Sequence, residues 1–319
     1  MSSIAFVFPG QGSQTVGMGS ALAAASPAAA AVFGAADAAL GESISRLAWA
    51  GPAETLNLTE NAQPALLATS IAYLAALRER WAAREAEGGP AAPEPAFAAG
   101  HSMGQYSAFV ASGALSLQDG IRLVRERGRL MQASGSGREG RMAALIGLDD
   151  ARLPELVAGA SVHGVFGVAN RNAPGQVVVS GERPAVEAAL ELARTLGARR
   201  AIELPVSVAA HSPLMAEAAE QLRATLATVE FHDPRPAGLA NADGALILTA
   251  EAARAELVEH LTTGVDWVRA VQAMAAAGVS TFIEIGPGRV LTGLISRIVP
   301  DATALATDAP NAPDGLAVP

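Results

Sequence analysis

Five residues constrain this chain more than any others: Gly100-His101-Ser102-Met103-Gly104, set between a short apolar run (96–100) and a helix-forming stretch that continues through Val110. G-x-S-x-G in that setting describes a serine on a sharp turn from a strand into a helix. Glycines flank it because such a turn leaves no room for neighbouring side chains. The turn needs a buried sheet beneath it and a helix packed on that sheet, so the chain reads as α/β. The plainer reading of Ser102 is a helix N-cap, a position that serine favours.

Other segments suit the same layout. Residues 4–8 form a buried strand entering the tight loop Pro9-Gly10-Gln11-Gly12, and residues 60–83 space their apolar side chains for one buried helix face up to Trp81. Residues 84–95, rich in Ala, Glu, Gly and Pro, read as an exposed loop, and residues 117–132 as a further helix. After the connector at 134–140 the texture changes. Strands are expected at 142–147, 165–169, 177–180 and 200–204, with helices at 153–158 and 183–196. Strand, helix, strand, strand, helix, strand is the order of a ferredoxin-like unit. From Val208 long helices return, with one more strand at 281–285 closing in Gly286-Pro287-Gly288. The expectation is an α/β-hydrolase-like large subdomain (1–133 and 207–300) interrupted by a ferredoxin-like α+β small subdomain (134–206), with 301–319 as a flexible tail.

Half of the 319 residues are hydrophobic and only 4% are aromatic, so a sizeable core must be built from Ala, Val and Leu. There is no cysteine, which removes disulfides, cysteine–metal sites and a cysteine nucleophile together. All 22 basic residues are arginine, and the net charge of -9 argues against a nucleic-acid partner. It also means that a docking site for any acidic partner must be a local arginine patch. No stretch of about 18 apolar residues is free of charge, Gly or Pro, and the start of the chain lacks the features of a secretory leader. A cytoplasmic protein without metal, cofactor or membrane partner is expected.

A serine nucleophile needs a proton acceptor with a pKa near neutrality, and five histidines are on offer. His101 adjoins Ser102 on the turn, so its ring is expected to point away. His163, His232 and His260 stand in polar, loop-like or exposed-helix surroundings. His211 follows an apolar approach (204–210) to a helix start at Ser212-Pro213, which makes it a candidate base or else a capping or core histidine.

On the helix at 117–132, at ~100° per residue, Leu117, Ile121, Leu123, Val124, Leu130 and Met131 define one apolar arc. Arg122, Arg125 and Arg129 fall opposite, towards solvent, whereas Arg127 falls within the arc. A buried guanidinium is costly unless an anion pairs with it. Arg127 is therefore either half of a structural ion pair or a clamp for a substrate carboxylate, which arginine can hold with two parallel bonds.

Taken together, these segments are similar to the malonyl-CoA:acyl-carrier-protein transacylase family, which includes the acyltransferase domains of fatty-acid and polyketide synthases. Phe6-Val-Phe-Pro-Gly-Gln-Gly-Ser-Gln-Thr-Val-Gly-Met18 resembles its N-terminal signature, and Gly100-His-Ser-Met-Gly-Gln-Tyr-Ser-Ala108 its nucleophile elbow. Asn172-Ala-Pro-Gly-Gln-Val-Val-Val-Ser-Gly181 resembles a hairpin of its small subdomain. Val206-Ser-Val-Ala-Ala-His-Ser-Pro-Leu-Met215 resembles its histidine segment, and Glu284-Ile-Gly-Pro-Gly288 its last strand and turn. The resemblance implies an S-malonyltransferase with a ping-pong mechanism. Ser102 takes the acyl group from malonyl-CoA with His211 as general base, then yields it to the phosphopantetheine thiol of a holo-acyl carrier protein. It implies that the main-chain N–H groups of Gln11 and Met103 form an oxyanion hole. It also implies that Arg127, in Val124-Arg-Glu-Arg-Gly-Arg-Leu-Met131, holds the malonyl carboxylate, and that a main-chain carbonyl from the segment 264–267 orients His211.

Three positions depart from the family pattern. Gln105 stands where Glu is common. Ala210 stands where malonyl-selective members often have Phe and methylmalonyl-selective ones Ser, which opens space for an α-substituent. Asp266 stands where Gln or Arg is common, and a carboxylate reaching His211 from there would resemble a hydrolase triad. The lack of ketosynthase and carrier segments implies a discrete enzyme acting in trans. Competing readings are an acyl hydrolase that clears carriers with the same Ser102 and His211, a non-catalytic carrier-binding subunit, and a generic esterase. The Gln11 loop and the small insert do not belong to the usual lipase plan.

Overall fold

Ala5, Phe6, Val7 and Phe8 are all buried, and a strand apolar on both faces is accepted only in the middle of a sheet covered on two sides. They form β1 (Ser3–Phe8) in a computed structural model that describes residues 3–134, 140–206 and 208–308. Along the chain follow α1 (Thr59–Ala86), β2 (Phe97–Gly100), α2 (Gly104–Ala111) and α3 (Leu117–Ser134). The insert runs β3 (Gly140–Ile146), α4 (Leu153–Ser161), β4 (Phe166–Ala173), β5 (Gln176–Glu182), α5 (Arg183–Thr195) and β6 (Arg200–Glu203). The chain then returns through β7 (Ala237–Leu239), β8 (Leu246–Ile247), α6 (Ala250–Thr263), β9 (Val265–Asp266), α7 (Trp267–Ala276), β10 (Val279–Glu284) and β11 (Thr303–Ala306).

The larger sheet has the order β11-β10-β1-β2-β7-β8, parallel except for β8. α1 is buried along most of its length and packs with α3 on one side of this sheet, while Trp267, Val271 and Met274 of α7 join Ala5, Val7 and Phe282 in a second cluster. The smaller sheet has the order β6-β3-β5-β4-β9. Its first four strands are antiparallel, and they carry the ferredoxin-like order expected from the sequence, with the last and first strands adjacent and the third between the first and second. Leu156 of α4 and Val186 and Ala189 of α5 cover it, in one cluster with Leu145 of β3 and Val179 of β5. The architecture is an α/β-hydrolase-like body with an inserted α+β unit.

β9 belongs to the body but pairs in parallel with β4 of the insert, matching Asn170 with Val265 and Arg171 with Asp266. Main-chain hydrogen bonds therefore join the two units beside the cleft between them. β4 is irregular here, with register shifts between Val168 and Asn170 and between Arg171 and Ala173. Such bulges re-aim side chains, and Asn170 and Asn172 both face the cleft.

Two sequence expectations need correction. The loop expected at 84–95 begins later, because α1 continues to Ala86 through Ala, Arg and Glu, all strong helix formers. The tail expected from residue 301 contains β11, which pairs in parallel with β10, and Thr307 N–H then donates to Glu284 O at 2.9 Å. A four-residue edge strand is held by its ladder, so an Ala- and Asp-rich composition conceals it. The connector expected at 134–140 and the rest of the tail fall largely outside the described residues.

Candidate active site

The elbow works only with glycine at its shoulders. A Cβ at Gly100 would lie 1.9 Å from the Gly104 carbonyl carbon, and one at Gly104 would lie 2.2 Å from Phe8 O. Between them Ser102 has φ 53, and among the described residues the only other non-glycine with positive φ is His211 at 57. Left-handed backbone at such residues persists only where the surroundings impose it, and it gathers at functional sites. These two residues face each other, with Ser102 Oγ 2.8 Å from His211 Nε2.

The proton positions follow from the partners. His211 Nδ1 donates to the His260 carbonyl oxygen at 2.6 Å, so Nε2 is the bare nitrogen and accepts from the Ser102 hydroxyl. Burial, and after it the Arg127 charge, push the His211 pKa down to about 3, against the upward pull of its bond to His260. The imidazole is thus neutral and able to take a proton from Ser102.

Arg127 is 1% exposed, on the arc of α3 where the sequence placed it. Its Nη2 donates to Ser102 Oγ at 3.2 Å and to His260 Nε2 at 3.3 Å, and its guanidinium carbon stands 5.9 Å from the centre of the Tyr106 ring. Among the described residues no carboxylate pairs with it, so the structural ion-pair reading does not hold. Glu256, beyond His260, is itself pushed up to about 8 by burial. On the opposite face Arg122 and Arg129 lie in water beside Asp119 and Glu126, whereas Arg125, also expected in solvent, is held by Glu42 and Asn61.

Ser102, His211, Arg127, Gln11 and Ala210 line one cleft of about 510 Å³ between the body and the insert. Met103 lies beneath it, fully buried, at the entry to α2. The main-chain N–H groups of Gln11 and Met103 engage no protein acceptor among the described residues. The Gln11 side chain is occupied elsewhere, donating to Thr59 Oγ1 at 3.3 Å. The same cleft has an apolar patch, where Met142, Val178, Leu204 and Val206 pack with Ala210, beside Asn170 and Asn172.

Several expectations fail in detail. The carbonyl that orients His211 belongs to His260, at the end of α6, and not to the segment 264–267. Asp266 does not approach His211. It caps α7 through the Arg269 N–H at 3.0 Å and faces Arg171 and Arg269. His260 is fully buried and not on an exposed helix face. A signal for this existed: Ala253, Glu256, Leu257, His260 and Leu261 repeat at helical spacing, and the two polar members masked an apolar stripe. His101 turns from Ser102 to Asn172, with Nε2 2.8 Å from Oδ1, and rests edge-on against Trp267.

Asn241 has no counterpart in the sequence reading. Its Oδ1 accepts the Ser102 N–H at 2.9 Å and its Nδ2 donates to Gly100 O at 3.1 Å, so one amide clips both sides of the strained turn. Glu256 Oε1 in turn accepts the Asn241 N–H at 2.7 Å. Gln105, the departure from Glu, uses both ends of its amide: Oε1 accepts from Gly100 N–H at 2.9 Å and Nε2 donates to Leu239 O at 3.0 Å. An ionised carboxylate supplies no donor for the second bond.

Comparison with known proteins agrees with this geometry. Residues 5–312 match the family model described as an acyl transferase domain. The malonyl CoA-acyl carrier protein transacylase of Escherichia coli strain K12 is 45% identical over 312 residues, covering 98% of each chain. The crystal structure of the acyl-carrier-protein S-malonyltransferase from Bartonella henselae superposes with a TM-score of 0.90 at 42% identity, covering 98% of this chain and 97% of that one. A malonyl-transacylase solved in complex with its type II polyketide acyl-carrier protein gives a TM-score of 0.89 at 41% identity, over 99% and 98% of the two chains. Matched in sequence and in fold over nearly its whole length, the chain belongs to the malonyl-CoA:acyl-carrier-protein transacylase family of acyltransferases.

Proposed function

We propose that this protein transfers a malonyl group from coenzyme A to the phosphopantetheine thiol of an acyl carrier protein. Arg127 carries the proposal: a buried guanidinium beside Ser102 Oγ, hydrogen-bonded to a hydroxyl and a neutral imidazole and to no carboxylate among the described residues. The free carboxylate of a malonyl thioester is the counter-ion it lacks.

In the first half-reaction the Ser102 hydroxyl gives its proton to His211 Nε2 as Oγ bonds to the thioester carbonyl carbon. The oxygen of the tetrahedral intermediate is held by the Gln11 and Met103 N–H groups, and no rearrangement is needed to free them. Collapse breaks the carbon–sulfur bond, and the departing coenzyme A thiolate takes the proton from imidazolium. In the second half-reaction the carrier's thiol loses its proton to His211 and attacks the Ser102 ester. Collapse then returns the proton to Ser102 Oγ. The His260 carbonyl steadies the ring whenever it is charged, in the place of a triad carboxylate. Ala210 leaves room beside the acyl α-carbon, against an apolar wall, so an α-substituted malonyl group also fits this reading. A cytoplasmic setting goes with it, since both substrates are handled there.

The test uses malonyl-CoA labelled in the acyl group, with and without a holo-acyl carrier protein. Alone, the protein should gain the acyl mass; with carrier, the label should move to the carrier. Ser102→Ala should lose several powers of ten in acylation, because covalent catalysis is removed. Release of free malonate without transfer to carrier would overturn the transferase reading in favour of a hydrolase.

A further inference from the structure

His260 contributes two different groups to the site. Its main-chain oxygen orients His211, which any residue at that position supplies. Its imidazole is a separate matter. His260 Nδ1 lies 2.8 Å from the Glu256 carbonyl oxygen one turn back, and an oxygen acceptor there fixes the ring proton on Nδ1. Nε2 is then the bare nitrogen, and it meets Arg127 Nη2, which can only donate, at 3.3 Å. Tyr106 stands edge-on to the ring, with 6.3 Å between ring centres, so the imidazole has a fixed plane as well as a fixed tautomer.

Arg127 has few other anchors. Its Nε bonds to no protein group among the described residues, and its other hydrogen-bond partner is Ser102 Oγ. That oxygen is the atom that becomes acylated, and an ester oxygen is a poorer acceptor than a hydroxyl. Of the two bonds that aim the guanidinium, the one to His260 is the one that outlasts acylation.

We propose that the His260 imidazole is a positioning residue for acyl-group selectivity. It keeps Arg127 aimed at the acyl carboxylate through both half-reactions while its own main chain holds the base. The inference rests on the malonyl-transfer reading above. It makes residue 260 the joint between the group that chooses the substrate and the group that moves the proton.

Acylation by malonyl-CoA and by acetyl-CoA should be measured on single preparations of wild type, His260→Gln and His260→Leu. Gln keeps an acceptor oxygen at similar reach; Leu keeps bulk without one, and every variant keeps the main-chain carbonyl. In His260→Leu the malonyl-to-acetyl ratio of kcat/KM should fall at least about tenfold, through a raised KM for malonyl-CoA, while His260→Gln should stay within about threefold of wild type. A partly folded sample lowers both activities and leaves their ratio in place. Should His260→Leu not fold, His260→Ile carries the same expectation. A wild-type ratio in the apolar variant, or an equal loss in His260→Gln, would overturn the role of His260. Wild-type protein that takes up no malonyl group would instead sink the transferase reading beneath it.

Discussion

The two walls of the cleft are built on opposite terms. On the body side, Ser102, His211 and Arg127 are tied into one hydrogen-bonded set, with Asn241, Glu256 and His260 behind them. On the insert side, apart from Asn170 and Asn172 of β4, Met142, Val178, Leu204 and Val206 present methyl and methylene groups with little directional bonding. A polar wall of this kind tolerates almost no displacement, because each member fixes the orientation of the next. An apolar patch answers to volume. On the malonyl-transfer reading proposed above, chemistry and charge selection fall to the polar side of the cleft, and the size of the acyl group to the apolar one.

The hardest way to break this division is to remove the charge. Arg127→Ala should cost malonyl transfer about 1.5–3 kcal/mol, at least about tenfold, while raising acetyl transfer relative to malonyl. Arg127→Lys should recover only part, since an ammonium does not reproduce the two-pronged fork. An unchanged malonyl-to-acetyl ratio in Arg127→Ala would move Arg127 out of the selecting wall.

A pH profile sharpens the comparison. As the proposed base, His211 acts in its neutral form, and burial with the Arg127 charge pushes its pKa down to about 3. Activity should thus persist as pH falls through the ordinary histidine range and fail only when pH drops through the lowered pKa. Removing Arg127 takes away the second cause and leaves burial, so the acid limb of Arg127→Ala should shift upward while remaining below the free-histidine value. Acetyl-CoA is the proper substrate for this comparison because it has no carboxylate of its own to titrate. A limb at the free-histidine value in wild type would place the base outside the buried cluster.

The smallest effect is expected at Ala210, the body residue that packs against the apolar patch. Ala210→Phe should leave the pH profile intact and lower acceptance of α-substituted malonyl-CoA relative to malonyl-CoA by about threefold to tenfold, as befits about 1 kcal/mol of overpacking. Equal losses on both substrates would mean that this residue does not measure acyl size.

Much of this site is legible in one dimension, for a physical reason. The elbow at 100–104 needs glycine at both shoulders, and a guanidinium within an apolar arc needs a partner, so both leave local marks. The insert is legible too, since its helices and longer strands alternate with clear periods. What escaped depends on contacts across long separations. Asn241 reaches back to Ser102 across 139 positions, in a stretch that looks like any polar turn. The two-residue β9 is too short to have a period at all. The burial of His260 is hidden in the sequence because polar residues within a buried stripe imitate an exposed face.

β9 also bears on how such enzymes are recombined. Its pairing with β4 makes the inserted unit discontinuous along the chain: the insert's sheet is completed by Val265 and Asp266, about sixty residues downstream of its own last strand. A chimera exchanging only residues 140–206 would pair one protein's β4 with the other's β9 and break up side-chain matches across that ladder, Arg171 with Asp266 among them. The transplantable unit is the insert together with residues 264–267, and the crossover points of a productive swap lie on either side of both segments.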